Sequence, residues 1–301
     1  MVDYLKIAVV QPSTDNHVAW HPRNANFPYM DASEAAKTWY QIHITLSSYR
    51  SLAESSKPDI VVIPELNIAK QYERQLKKMA NDLGVIVIAG LDFKKEKNLI
   101  SNRAIIVVPN RWPHGNGASI ETVFSFGKNF AAHREKVYVE SHGDEWSPCD
   151  KFYILDLKQY GRVGLAICAD FYDIERYALY KGRIQHLFIL AFNQDIKSFY
   201  FLAESISRLV YCNVVICNTG YYGGSVCFTP AVDDYKRYCY KHEGKELFTS
   251  QIVKIPVDSL WKAQNRDMNA KKNYKSPPPG YKYHYTKEYE EYVTSQKNEN
   301  V

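Results

Sequence analysis

The 301 residues carry 38 basic and 33 acidic side chains, a net charge of +5, and 46% hydrophobic residues. That length and apolar content are enough for one large domain or two small ones with a substantial core, a globular composition. The charges are dispersed, so nucleic acid is not indicated as a partner, and no apolar run approaches the roughly 18 residues that a membrane helix needs.

In chain order, the first predicted element is a short strand over Leu5 to Val10 (LKIAVV), which reads as a strand rather than as a signal peptide and points to a cytoplasmic protein. A polar stretch from Pro12 to Tyr29 follows and reads as a surface loop. Asp31 and Glu34 have the spacing of a helix start, and Trp39, Ile42, Leu46, Tyr49 and Leu52 recur at helical intervals, which predicts a helix over about 32–55. The strand Ile60 to Ile63 then ends in Pro64 and Glu65. A second helix, with Tyr72, Leu76, Met79 and Leu83 on one face, stops at Gly84.

Two more strands, Val85 to Ala89 and Ala104 to Val108, flank the charged turn KKEKN. Strand and helix alternate up to this point, which argues for an α/β fold. After Pro109 short segments without helices between them, Thr122 to Phe126 and Phe152 to Leu157, predict antiparallel strands. Val163 to Ile167 (VGLAI) is apolar on both faces, as a central covered strand must be, and it stops on Cys168. The C-terminal ends of such strands are where α/β architectures place chemistry. Two apolar strands, one ending in Glu65 and one in Cys168, suggest a thiol and a carboxylate on one rim.

Further on come a short helix around Glu175 to Lys181, the strand His186 to Ala191, and a helix with Phe199, Leu202, Ile206 and Leu209 in register and Glu204 and Arg208 as an i,i+4 pair. Strands Val214 to Cys217 and Val226 to Phe228 flank the turn TGYYGGS, and Ser250 to Ile255 is the last strand. From Lys262 the chain is polar, with three prolines at 277–279. The expected division is therefore a domain over 1–261 and an extended tail over 262–301, ordered only against a partner surface. The six cysteines have neither CxxC pairing nor regular spacing, so five of them read as small hydrophobes.

Between the Glu65 and Cys168 strands lies AAHREKVYVESHGDEW, with Lys136 at its centre. Taken together, PEL at 64–66, HREK at 133–136 and GLAIC at 164–168 resemble the three motifs of the nitrilase superfamily of carbon–nitrogen hydrolases. The resemblance spans about residues 4–261. It implies a four-layer αββα sandwich, a homodimer or larger homo-oligomer, and a small-molecule substrate. It also implies a cysteine thioester mechanism with no metal and no cofactor.

On that resemblance Glu65 is the general base, Cys168 the nucleophile, and Lys136 with the backbone N–H of Ala169 the oxyanion donors. Glu145 matches a second glutamate, with Glu140 as the alternative, while Asn193 and the turn from Tyr221 to Ser225 occupy positions that approach the substrate in relatives. An ammonium near the thiol is expected to favour thiolate. The acidic residue that relatives carry after the cysteine is present as Asp170, but the arginine expected soon after it is missing from ADFY.

His17 and His21 are the best-spaced metal ligands, and Pro22 directly after them argues against a zinc-binding helix. There is no GxSxG, GxxxxGK[ST] or GxGxxG pattern. Two functions remain: hydrolysis of a small amide, carbamoyl compound or nitrile, or a catalytically silent nitrilase-like module kept for interaction, associated with a nucleic-acid system through its basic tail and tyrosines.

Overall fold

The computed structural model describes residues 1–21, 27–110, 112–113, 122–265 and 272–283. The first half of the chain builds one sheet and the helices that cover it. Strand β1 (Tyr4–Gln11) leads through a short helix α1 (Asn16–Ala19) to α2 (Ala32–Tyr49), β2 (Ile60–Ile68), α3 (Glu73–Leu83) and β3 (Ile86–Leu91). A small hairpin, β4 (Lys94–Glu96) and β5 (Leu99–Ser101), occupies the charged segment expected to be a turn. Then come β6 (Arg103–Val108), β7 (Thr122–Gly127), α4 (His133–Ser141) and β8 (Glu145–Trp146).

Strands β9 (Ile154–Asp156) and β10 (Arg162–Ile167), helix α5 (Ile174–Tyr180), β11 (His186–Ala191), α6 (Ile196–Ile206), β12 (Asn213–Asn218) and β13 (Ser225–Phe228) form the second half. Helix α7 (Asp234–Arg237) and strand β14 (Tyr238–His242) extend it. The last elements are β15 (Thr249–Pro256), which returns to the first sheet, and α8 (Asp258–Gln264).

Each six-stranded sheet has the same plan. The orders are β15-β1-β2-β3-β6-β7 and β14-β13-β12-β11-β10-β9. In both, three parallel strands form the middle (β1, β2, β3 and β10, β11, β12), and antiparallel strands extend the flanks. Period-two alternation assigns the faces. Ile7, Val9, Ile60, Val62, Ile86 and Ile88 join the core between the sheets, whereas Ala8, Val10, Val61, Ile63, Val87 and Ala89 pack outward against Ile42, Leu46, Leu76 and Met79 of α2 and α3. On the other side Tyr180 of α5 lies over Gly164 and its hydroxyl meets the Leu165 backbone, while α6 covers β12 and β13. The result is the expected four-layer αββα sandwich.

Two helices depart from the periodic reading. Helix α2 ends at Tyr49, not near 55, because Ser48 and Ser51 hydroxyls take the carbonyls of Thr45 and Ser48. Helix α6 widens into a π turn over Ser207–Tyr211, which takes Arg208 out of register, and Glu204 pairs instead with Arg237 at 3.1 Å.

The C-terminal segment also differs from an extended tail. Tyr274 and Tyr281 are buried with Tyr211, Leu260 and Ala263. The Lys275 N–H donates to the Pro230 carbonyl at 2.9 Å, and the Tyr211 hydroxyl donates to the Lys275 carbonyl at 2.6 Å. Residues 272–283 therefore belong to the body of the domain. No helix among the described residues is long and apolar enough to cross a membrane.

Candidate active site

Glu65 sits where β2 changes register against β3, in a bulge between Ile63 and Ile68 whose next residue, Leu66, has φ 59°. The bulge presses on β3: a Cβ on Gly90 would lie 2.3 Å from the Glu65 Cα and 2.4 Å from the Pro64 carbonyl oxygen. Glycine at position 90 is what lets the carboxylate-bearing backbone approach. Cys168 ends β10 in the left-handed region, φ 43°, at the head of a 3-10 turn over Cys168–Tyr172. For a residue with a Cβ that conformation costs on the order of 1–3 kcal/mol. It marks the thiol as held in place by its surroundings.

A lysine joins them, and it is Lys128. It is the residue directly after β7, its side chain only 1% exposed, and its Nζ donates to Glu65 Oε1 at 2.8 Å and to Glu135 Oε2 at 2.6 Å. Asn102 Nδ2 bridges the same carboxylates, at 2.7 Å from Glu65 and 3.2 Å from Glu135. The other Glu65 oxygen accepts the Phe192 backbone N–H at the end of β11, at 2.9 Å. Glu135, in the first turn of α4, also accepts the Ala132 N–H at 2.7 Å.

The turns bearing Cys168 and Lys128 are tied together by Asp170. Its carboxylate accepts the N–H groups of Asn129 (3.0 Å) and Phe130 (2.9 Å) and pairs with Arg176 at 3.2 Å. An arginine thus does reach Asp170, from the first turn of α5.

Burial dominates the electrostatics. It pushes the Glu65 carboxyl above its ordinary range, against the pull of Lys128 and with the help of Glu135. The Lys128 ammonium opposes its own burial through the surrounding anions and stays firmly charged. Burial and the Glu65 charge together push the Cys168 thiol well above its usual value, more than Lys128 lowers it. The resting group is therefore a thiol beside a carboxylate with raised proton affinity, not the thiolate expected from a neighbouring ammonium.

Cys168, Glu65, Lys128 and Glu135 open on a cleft of about 690 Å³. One wall is a chain of edge-on rings: Phe93 against Trp20 (6.2 Å), Trp20 against Phe192 (5.3 Å) and Phe192 against Tyr222 (5.6 Å).

The chain matches no protein-family model and no curated protein sequence. Solved structures do match. Nit3 of Saccharomyces cerevisiae, a member of branch 10 of the nitrilase superfamily, is similar at TM-score 0.62 and 15% identity over 89% of this chain and 95% of that one. XC1258 of Xanthomonas campestris, a CN-hydrolase superfamily protein with an arsenic adduct in its active site, is similar at 0.59 and 13% over 89% and 97%. An amidase from Nesterenkonia sp. is similar at 0.57 and 12% over 89% and 96%.

The fold is that of the nitrilase superfamily. On this nitrilase fold the expected residues are distributed unevenly. Glu65 and Cys168 meet at one rim, as their strand-end positions suggest. Lys136 does not join them: its side chain is 65% exposed and lies 3.9 Å from the Glu140 carboxylate on the outside of α4. One residue is about 100° of helix, so when Glu135 faces inward Lys136 faces out. The lysine that the structure brings to Glu65 is Lys128, not Lys136, and the strand end that found Glu65 and Cys168 would have found it too, since VFSFGK is again a strand closing on a reactive side chain.

Glu145 is likewise outside the cleft. It is exposed in β8, where its N–H donates to the Asn98 carbonyl, and Glu140 is exposed beside Lys136. The second carboxylate on Lys128 is that of Glu135, legible only as the third residue of α4. Ala169 follows Cys168 in the 3-10 turn, and Asn193 lines the cleft. Of the turn from Tyr221 to Ser225, Tyr222 lines the cleft, and Tyr221 stands one step back, its ring edge-on to Tyr222 and His17. His17 and His21 lie on the cleft wall, and no group of His, Cys, Asp and Glu among the described residues is placed to hold a metal ion.

Proposed function

We propose that this protein hydrolyses a carbon–nitrogen bond of an amide, or of a close relative such as a carbamoyl compound or nitrile, through a thioester on Cys168. The observation that carries this reading is the buried contact set in which Lys128 bridges Glu65 and Glu135 beside the Cys168 thiol. Glu65 takes the Sγ proton as sulfur adds to the amide carbon. Its raised proton affinity suits the Glu65 carboxylate to that task.

An ammonium has three N–H donors, and two are taken by carboxylates, which leaves one for the oxyanion. The N–H of Ala169 is the second oxyanion donor in this reading. Collapse breaks the C–N bond, and Glu65 gives its proton to the departing nitrogen. Water then adds to the thioester, Glu65 accepts its proton, and the C–S bond breaks to release the acid and the thiol.

Removing the proton carrier while keeping its shape separates the two halves. With an activated ester, Glu65→Gln should accumulate an acyl mass on Cys168, Cys168→Ala should show none, and the wild type should turn over and release ammonia from an amide panel. Acyl mass on a cysteine other than Cys168 would overturn the assignment.

A further inference from the structure

The rim of the cleft carries charge that the chemistry above does not use. Arg134, in the first turn of α4, lines the cleft and has no carboxylate partner among the described residues, although cations in a first helical turn oppose the helix dipole. His133 and His17 line the same cleft. Its two carboxylates, Glu65 and Glu135, are both committed to Lys128. Asp15, outside the lining, caps α1 by accepting the His17 N–H at 2.8 Å. Arg134 and Tyr222 both line the cleft, and although burial raises the Tyr222 pKa the Arg134 charge opposes that rise, so guanidinium and phenol address the same rim.

We propose that the cleft selects an amide with a flat apolar body and a carboxylate at its far end, the carboxylate held by Arg134 with the Tyr222 hydroxyl while the amide carbon reaches Cys168. This rests on the reading of Cys168 as the nucleophile. The ring edges of Trp20, Phe93, Phe192 and Tyr222 suit a flat body, and 690 Å³ exceeds what a simple aliphatic amide fills. A guanidinium fork matches a carboxylate bidentately, and both acids that line the cleft, Glu65 and Glu135, already pair with Lys128, so a cationic end would compete with that lysine.

Phenylacetamide, its 4-carboxy derivative and its 4-aminomethyl derivative test the idea, with kcat/KM as the readout. The carboxylate should be preferred over the neutral amide by at least about tenfold and the ammonium disfavoured. Arg134→Gln should reduce the carboxylate-to-neutral ratio at least about tenfold, mainly through KM, and Arg134→Lys should keep part of it. Lys136→Met, which removes a cation from the same helix, should leave the ratio unchanged. A wild-type ratio near one, or one insensitive to Arg134→Gln, overturns the proposal. Binding of the same three compounds to Cys168→Ala, followed by NMR titration, separates the two readings. Preference for the carboxylate that is lost when Arg134→Gln is added supports the anion site even if the wild type turns over nothing, which would sink the hydrolase reading alone. Equal binding of all three overturns the anion site.

Discussion

In the proposed mechanism Lys128 is the residue on which the chemistry turns, because its charge lets two carboxylates share the floor of the cleft. Replacing it with Met removes one oxyanion donor, expected to cost about 10² to 10³ in rate, roughly 3–4 kcal/mol. The substitution also leaves the buried Glu65 and the half-buried Glu135 without a counter-charge, so one should take up a proton and the thermal midpoint should fall. Lys136→Met should stay within about threefold of wild type, since its partner is an exposed carboxylate on its own helix. Steady-state amide turnover by both variants decides the assignment: a large loss at Lys136 with none at Lys128 would reverse it. The mismatch has a local cause. HREK has the look of a lysine motif, but α4 turns Glu135 inward and Lys136 outward, and one residue of helical phase cannot be read from a short string.

Strand β11 lies between β10 and β12 and opens on His186, which is fully buried. Its Nε2 donates to the Tyr160 carbonyl at 2.9 Å and its Nδ1 accepts from Asn213 of β12 at 3.1 Å, a pairing that fixes the neutral tautomer. Burial lowers its pKa to about 4. With a folded value below the unfolded one near 6.5, its contribution is fully present above pH 6.5 and is lost as pH falls through 4. The amount is roughly 3 kcal/mol, from about 2.5 pH units of difference. NMR titration should find the His186 ring neutral at pH 5, and the unfolding free energy should fall between pH 6.5 and 4 by more in wild type than in His186→Gln. A ring that titrates near 6.5 would contradict this. At this scale the strands were legible wherever apolar residues ran on, as in β2, β10, β11 and β12. The short helix α8 and strand β14 were missed, because their side chains are mixed and only their neighbours bury them.

For the whole molecule, the outcome that matters is where the chain after β15 goes. Residues 272–283 cover Tyr211 and α8 through Tyr274 and Tyr281. Deleting 272–301 should expose those side chains and lower the thermal midpoint by at least about 5 °C, given some 1.5–3 kcal/mol for each large side chain uncovered. An unchanged midpoint in a calorimetric scan would return the segment to a dispensable tail. The polar, proline-bearing composition pointed to a tail because it has few aliphatic residues; its anchors are tyrosines, whose rings bury while their hydroxyls find backbone or side-chain partners.

By itself the sequence determined the alternation of strands and helices and the thiol and carboxylate at two strand ends, features that rest on apolar runs and on periodicity local in the chain. The αββα sandwich came from the resemblance of three short motifs to the nitrilase superfamily, not from that patterning. The tertiary structure alone decided which lysine enters the site, that Glu135 holds it, that Gly90 makes room for the Glu65 bulge, and that Arg176 reaches Asp170. Each depends on the packing of elements far apart in sequence, where a few ångströms of approach and 100° of helix phase separate a buried charge from an exposed one.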